Sequence, residues 1–384
     1  MPAEDQHLYC PLCGQSHSEP VLQRGQRADC VRCGTTLAER GRLGPHAALV
    51  FALAGLVLAI PSLLLPFVTL TKLGNERVSL LTGSFAGLLP SGWGLAGVWV
   101  LFCGIVAPFA LLALLVAIFW TDRWENLRVW NKRLRRVAHG VEFWFMPEVQ
   151  VLGVLVGFFK LADVVHISVG PGLWCYAAAS VFSLLAWRRF ELQSRQERAF
   201  SIAASAAAGT TPSVPARTST GQAAALAIAA VIMMIPAYAL PVMHLGMLGE
   251  PASDTTILAG VFRLWEQDLG GLAAIVFTAS FLVPLLKLGG LAWLLASARR
   301  QPGERSRRLA RLHGAIDFIG RWSMLDVFLV AFLAGAVRFG KLALVQPRIG
   351  ITAFGAVVVL TMLATHRFDP RIFWEDARPA ETTP

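Results

Sequence analysis

The sequence predicts an all-α polytopic membrane protein, in which a small N-terminal zinc ribbon precedes two tandem, parallel four-helix transmembrane units with eight spans in total. Three observations support this fold class. Of the 384 residues, 55% are hydrophobic and only 15% are charged, whereas about a quarter of the residues in soluble domains are charged. A proline-broken apolar motif occurs twice, and two Cys-x-x-Cys pairs precede the first apolar run. A soluble fold cannot bury this much apolar surface, but a bilayer can cover it.

Eight apolar segments come close to the roughly 20 residues that a helix needs to cross the hydrocarbon core of a bilayer. The first segment is not a cleaved signal peptide, because it begins late, is too long and lacks a cleavage site of small residues. In chain order, the predicted spans are Ala47–Leu70, Leu95–Trp120, Met146–His166, Gly172–Trp187, Ala223–Leu245, Gly271–Ala298, Met324–Leu344 and Ile349–His366.

Basic residues predict the orientation of these spans. Arginine and lysine cluster before span one and after spans two, four and six, for example in KRLRR at 132–136 and RSRRLAR at 305–311. The positive-inside rule then places both termini in the cytoplasm. We interpret the net charge of +10 as a consequence of this topology, because basic residues concentrate in cytoplasmic loops, and as a source of affinity for anionic lipid head groups. Because this charge is spread over loops next to the spans, nucleic-acid binding is not predicted.

The two halves of the chain repeat one pattern. The motif IPSLLLPFVTL begins at Ile60, and IPAYALPVMHL begins at Ile235. Further matches follow in the same order: LTGSF at Leu81 with LAGVF at Leu258, Pro108 with Pro284, WFMPEV at Trp144 with WSMLDV at Trp322, and Lys160 with Arg338. A helix kink explains each proline separately, but not the common spacing in both halves. Each half begins on the cytoplasmic side, so the repeat is predicted to be parallel and not inverted.

These patterns divide the chain into five parts. A ribbon is predicted in residues 1–42, the first four-span unit in 43–198 and the second four-span unit in 223–370. Residues 199–222 are rich in Ala, Ser, Thr and Pro, and we predict a flexible cytoplasmic linker there. Residues 371–384 are predicted to form a cytoplasmic tail.

The clearest chemical motif lies before the first span. Cys10 and Cys13 form one Cys-x-x-Cys pair, and Cys30 and Cys33 form another, with the spacing of a zinc ribbon. Four thiolates complete a tetrahedral shell, so the sequence predicts one structural zinc ion per chain and no open position for hydrolysis. Disulfides are disfavoured in the reducing cytosol. Rubredoxin-like iron remains an alternative, because the same ligands bind either metal.

The tandem four-span units, the paired CxxC motifs, and the sequences PLLKL and SMLDV in the second half resemble the paraquat-inducible protein A family. The resemblance covers almost the whole chain. It implies an inner-membrane protein that moves phospholipids between the two envelope membranes, with a periplasmic tunnel partner that contains mammalian-cell-entry (MCE) domains. Family members often carry a second ribbon before the fifth span, whereas the linker of this chain contains no cysteine.

Polar and ionisable side chains inside the predicted spans are candidates for function, because burying them in a bilayer is costly. We predict a polar pocket that handles a lipid head group or a proton, with Lys287 as its central group. Ser280 precedes Lys287 by two turns on the same helix face, and Lys160 and Asp163 share a face near the end of span three. The other candidates are Thr361, Glu148, Asp326, Arg338 and Lys341. For Glu148 and Asp326 the alternative is helix capping, and for Arg338 and Lys341 it is anchoring at the membrane interface. For Thr361 the alternative is a hydroxyl that bonds its own helix. For Lys160 and Asp163 it is an interfacial pair whose side chains extend to the membrane surface.

The sequence predicts no enzyme, because it contains no Walker loop, nucleophile elbow or dinucleotide fingerprint. The segment Gly246–Gly270 is predicted to hold a short periplasmic interfacial helix that docks a partner, borders a lipid entrance or seals its bundle. Three functional classes follow from these features. They are a lipid-transport component, a redox membrane protein with iron in the ribbon, and a zinc-stabilised scaffold or stress sensor without transport.

Overall fold

A computed structural model of the protein describes most of the chain from residue 7 to residue 373. The residues that it does not describe are 1–6, 11, 12, 14, 19–21, 24, 40–42, 45, 73, 74, 87–97, 100, 163–165, 208–219, 248–252, 267, 269, 299–305, 323–342 and 374–384. The N-terminal part consists of two antiparallel hairpins, in which β1 (His7–Tyr9) pairs with β2 (Ser16–Ser18) and β3 (Arg27–Asp29) pairs with β4 (Thr36–Glu39).

Residues 47–207 form long helices around a small sheet. In chain order, the elements are α1 (Ala47–Leu64), β5 (Val68–Lys72), β6 (Asn75–Ser79), α2 (Leu81–Ala86), a π turn (Phe102–Val106), α3 (Ala107–Thr121), a 3-10 turn (Glu125–Leu127), α4 (Arg128–Glu142), α5 (Pro147–Ala162), β7 (His166–Val169) and α6 (Pro171–Ala207). The three strands pair antiparallel in the order β6-β5-β7.

Residues 220–373 follow the same order of elements wherever the structure describes them. They are α7 (Thr220–Ala239), β8 (Met243–Met247), β9 (Ser253–Thr255), α8 (Ile257–Glu266), α9 (Gly270–Phe277), a π turn (Thr278–Leu282), α10 (Val283–Ala298), α11 (Ser306–Trp322), β10 (Ala343–Pro347), α12 (Ile349–Arg367) and a 3-10 turn (Pro370–Phe373). The strands again pair antiparallel, in the order β9-β8-β10. Each half therefore carries a three-stranded sheet with its first strand in the centre.

The helices bury one part of their apolar surface and leave many large apolar side chains exposed. Helix α1 packs along α6, and α7 packs along α12. On α1, Ala48 and Ala52 are buried, whereas Val57 and Leu64 are exposed. Among the residues that the structure describes, five helical segments are long and apolar enough to cross a membrane, namely Ala47–Leu64, Phe102–Thr121, Thr220–Ala239, Ala273–Ser297 and Ile349–Arg367. Exposed apolar surface on such helices suits contact with lipid, which supports an α-helical membrane protein.

Each proline-broken motif forms the turn from a helix into the central strand of a sheet. Pro66 follows α1 and Pro241 follows α7. The amide of Gly172 donates to the carbonyl of Pro66 across 2.9 Å, and the amide of Gly350 donates to the carbonyl of Pro241 across 3.0 Å. The last helix of each half therefore begins on the turn made at the end of the first helix. This contact gives the repeated prolines a structural role.

The prediction of continuous helix through the first and fifth spans is wrong. Span one was predicted to reach Leu70 and span five to reach Leu245, but both residues lie in strands, β5 and β8. The physical reason is the proline, which lacks an amide donor and disfavours helical backbone in the residue before it. Leu65 accordingly has extended backbone, with φ −82° and ψ 154°.

Other predicted spans differ in length from the observed helices. The third, Met146–His166, ends too late, because β7 begins at His166. The helix that contains the fourth runs on to Ala207 and so enters the segment predicted as a linker. The seventh, Met324–Leu344, lies outside the described residues except for the start of β10. Within Gly246–Gly270, the predicted interfacial helix corresponds to α8, which exposes Phe262 and Trp265.

Candidate functional site

The ribbon cysteines lie in the turns that connect the strands of each hairpin. Cys10 follows β1, and its amide donates to the carbonyl of Gln15 across 2.9 Å. Cys30 follows β3, and its amide donates to the carbonyl of Thr35 across 2.8 Å. Gly34 adopts a φ of 78° in the second turn, a left-handed conformation that glycine adopts without a steric penalty. Each turn is therefore tight enough to bring both of its thiols to one place.

All four thiols are buried, and their sulfur atoms lie within 4.8 Å of one another. The Sγ atoms of Cys10 and Cys33 are 3.5 Å apart, as are those of Cys13 and Cys30. Sulfur ligands about 2.3 Å from a tetrahedral ion are themselves about 3.8 Å apart. The cluster is therefore compatible with a metal ion, as the spacing predicted, and its geometry suits zinc or iron.

The charge of the cluster also suits a cation. Hydrogen bonds from the thiols of Cys10 and Cys13 lower the pKa of Cys33, and the hydroxyl of Thr35 lies 3.2 Å from its sulfur. Hydrogen bonding to Cys10 and Cys33, together with burial, raises the pKa of Cys13. These hydrogen bonds favour a thiolate at Cys33 and a neutral thiol at Cys13, and a second thiolate this close to Cys33 would be repelled by it. A bound cation compensates that repulsion and allows all four cysteines to lose their protons.

Two of the predicted pocket residues, Ser280 and Thr361, are buried and bonded within their own helices. The hydroxyl of Ser280 donates to the carbonyl of Val276 across 2.6 Å, and the hydroxyl of Thr361 donates to the carbonyl of Val358 across 2.8 Å. A hydroxyl that bonds its own helix is satisfied inside an apolar environment. These two side chains therefore keep a hydrogen bond without any ligand.

Lys287 is only 3% exposed, and it lines a cavity of about 100 Å³ between the two halves. The second half contributes Lys287 from α10, with Met362 and His366 from α12. The first half contributes the remaining lining residues from the end of α4 and its connection to α5, namely His139, Glu142, Phe143 and Met146. An ammonium, a carboxylate and two imidazoles therefore meet in one cavity that also has apolar walls.

Neighbouring groups fix the first-half side of this cavity. The Nε1 of Trp187 donates to Oε1 of Glu142 across 2.8 Å, and Nδ1 of His139 lies 3.5 Å from Oε2 of the same carboxylate. The rings of Phe143 and His366 have centroids 5.0 Å apart. His139 and Glu142 lie outside the predicted spans, so their ionisable groups did not stand out in an apolar sequence. The sequence feature that could have indicated these residues is a basic amphipathic helix that ends directly before span three.

The remaining candidates are only partly described. Lys160 lies in the last turn of α5, about 20 Å from Pro147 along the axis at about 1.5 Å per residue. Glu148 lies in the first turn of the same helix, where capping was the alternative. The residues Asp163, Asp326, Arg338 and Lys341 lie outside the part of the chain that the structure describes. The grouping of Lys160 and Asp163 with Lys287 stays a prediction.

Comparison with known proteins identifies relatives along nearly the whole chain. The family model described as "Paraquat-inducible protein A" matches residues 46–198 and 221–378. The "Intermembrane transport protein PqiA" of Escherichia coli K12 is 31% identical over 96% of this chain and 95% of its own length. The "Lipophilic envelope-spanning tunnel protein A" of the same organism is 28% identical over 95% and 90%. A "Probable intermembrane transport protein" of Haemophilus influenzae is 25% identical over 96% and 95%. No solved structure matches the chain.

Proposed function

Because the chain belongs to the paraquat-inducible protein A family, we propose that it is the bacterial inner-membrane component of an intermembrane lipid transport system. It passes phospholipids between the inner membrane and a periplasmic tunnel protein with MCE domains. The names of the relatives support transport between membranes, and one relative is named a tunnel protein that spans the envelope. The observation that carries the proposal for this chain is the buried Lys287 in a cavity between the two halves.

The proposed architecture is two tandem units of four spans, with both termini in the cytoplasm. The order of elements and of strands supports it, because both recur in the two halves. The two segments that match the family model coincide with those halves. The seventh span is proposed in residues 324–342, between α11 and β10, where an apolar sequence is long enough to reach the opposite side.

The proposed pocket handles a lipid head group at Lys287. A buried ammonium requires a counter-charge to keep its proton, and Glu142 supplies a carboxylate on the wall of the same cavity. A lipid phosphate that enters the cavity adds a second anion for the ammonium. About 100 Å³ holds a few water molecules or one phosphate-sized group, so the acyl chains remain outside against the apolar helix faces. We propose that the remaining predicted pocket residues line a path that continues from this cavity. They are Ser280, Thr361, Lys160 and Asp163.

Site-specific photocrosslinking tests whether lipid enters the cavity. A photoreactive amino acid replaces Met362 in the cavity wall, and a second variant carries it at the exposed Trp130 of α4. Cells grown with labelled phosphate are irradiated. We expect the Met362 variant to carry much more phospholipid-derived label than the Trp130 variant. Equal labelling of the two variants would contradict the proposal.

A further inference from the structure

The metal ribbon shares its apolar core with the second half of the chain. The four cysteines and Leu37 belong to one continuous cluster of buried side chains that extends into α7, α10, α11, α12 and the last 3-10 turn. The buried second-half members are Ala223, Leu291, Leu294, Ile316, Ala364, Phe368 and Phe373. The ribbon is therefore not an appendage tethered only to the helix that follows it.

The ribbon also contacts the first half. Strands β1 and β4 pack against α6. In this contact, Nη1 of Arg189 lies 3.6 Å from Oε1 of Glu39, and both side chains are largely buried, at 30% and 28% exposure. One small domain thus touches the last helix of the first half and several helices of the second half. These contacts lie near the ends of α10 and α12 and the start of α7.

We infer that the ribbon is a metal-dependent clamp that holds this end of the two halves together. Its strands are only three or four residues long, and isolated two-stranded hairpins are marginally stable at best. A domain of about 40 residues or fewer generally needs disulfides, a metal ion or association with other chains to fold, and many small metal-binding domains unfold when the ion is removed. Loss of the ion therefore disturbs the buried cluster that the ribbon shares with Phe368 and Phe373, and the loosening spreads to helices far from the ribbon in sequence.

Hydrogen exchange of the purified full chain, read by mass spectrometry, tests this inference without any transport assay. Metal is removed with a chelator or by Cys30→Ser. We expect faster exchange in the ribbon and also in residues 309–316 and 364–373 of the second half. Strands β8 and β9, which pair near the start of α12 and away from the ribbon, serve as an internal control, and their exchange should not change. Faster exchange confined to residues 7–39 would overturn the clamp.

A second variant distinguishes loss of the packing between the ribbon and the second half from unfolding of the ribbon itself. Leu37→Ala removes buried side chain from the shared cluster but leaves all four thiols. With metal content unchanged, we expect exchange in 364–373 to rise by about tenfold or more, since a buried leucine is truncated. Val31→Ala is the matched control, because Val31 lies in the ribbon and is 76% exposed. Unchanged exchange in 364–373 for a Leu37→Ala protein that retains its metal would also overturn the inference.

Discussion

The hydroxyl of Tyr238 donates a hydrogen bond of 2.9 Å to the backbone carbonyl of Ser280, inside the π turn of the second half. In the first half, the hydroxyl of Tyr176 donates across 2.9 Å to the carbonyl of Gly104, at the same place in its π turn. A π turn displaces backbone carbonyls from their usual helical partners. The two halves satisfy that carbonyl with tyrosines from different helices, α7 and α6.

This π turn bears directly on Lys287. One additional residue in a helix rotates everything that follows by about 100°, so the turn at Thr278–Leu282 sets the face on which Lys287 emerges. The tyrosine bond stabilises that turn just before α10. The backbone conformation of this span therefore determines that Lys287 faces the cavity.

The first prediction concerns the glycine at the start of the last helix. In Gly350→Ala the new Cβ would lie 2.6 Å from the carbonyl oxygens of both Leu240 and Pro241, and the clash should destabilise the fold by about 1–3 kcal/mol. Thermal unfolding of purified protein measures the loss. Gly355→Ala in the same helix is the control, because nothing lies within 4 Å of its Cβ. Equal melting temperatures for the two variants would argue against the packing of α12 on the proline turn.

A second prediction concerns topology. Reporter fusions at residue 130, at residue 205 and at the C-terminus should all report the cytoplasm, and a fusion at residue 253 should report the periplasm. The basis is the positive-inside rule applied to the basic segments between the spans. A periplasmic signal at residue 205 would exclude two parallel four-span units.

A third prediction concerns the metal. Elemental analysis should find about one zinc ion per chain, because four buried thiols within 4.8 Å of one another suit a closed tetrahedral site. Cys13→Ser should lose most of this zinc, and Cys175→Ser, which lies in α6 outside the cluster, should retain it. Iron in place of zinc would favour the redox alternative, and a protein without metal would contradict the ribbon assignment.

A fourth prediction concerns pH. The hydrogen bond from His244, 2.6 Å away, and the nearby Arg348 lower the pKa of Asp254 in the folded protein. A carboxyl with a lowered pKa stabilises the fold above its ordinary value of about 3.9, and the effect disappears as the pH falls through the lowered pKa. Asp254→Asn should therefore lower the melting temperature near neutral pH but have little effect in acid.

The matched control for this pH dependence is Asp268→Asn. Asp268 is exposed and has a φ of 58°, a backbone conformation that asparagine tolerates equally well. Its substitution should leave the pH profile of the melting temperature unchanged. A difference between wild type and Asp254→Asn that stays constant from neutral to acid pH would contradict the ion-pair account.

The sequence was sufficient for some parts of the site and insufficient for others. The ribbon ligands were predictable because their spacing is local, and Lys287 was predictable because an ionisable group in an apolar run is unusual. The strands β5 and β8 were not recognised, because hydropathy does not distinguish an apolar strand from the end of a helical span. The deciding signal was the proline two residues before each strand, Pro66 before β5 and Pro241 before β8.

The other cavity residues were missed for a different reason. His139, Glu142 and His366 come from two elements that are distant in sequence and meet only through the packing of the two halves. No periodic pattern in one helix indicates such a meeting. Conversely, a hydroxyl that bonds its own helix was the alternative for Thr361, and the structure shows that bond. The same kind of bond at Ser280 was not predicted.

The most direct test of the account is complementation of an envelope-defective strain by Lys287→Met, with membrane levels checked by immunoblot. Methionine keeps most of the length of the side chain and removes the ammonium, so the span should still insert and fold. Lys132→Ala is the control, because Lys132 is an exposed cation on α4 outside the cavity. We expect Lys287→Met to be present at normal levels and inactive, and Lys132→Ala to be active. Full complementation by Lys287→Met at normal levels would contradict the proposed lipid-handling role of the cavity.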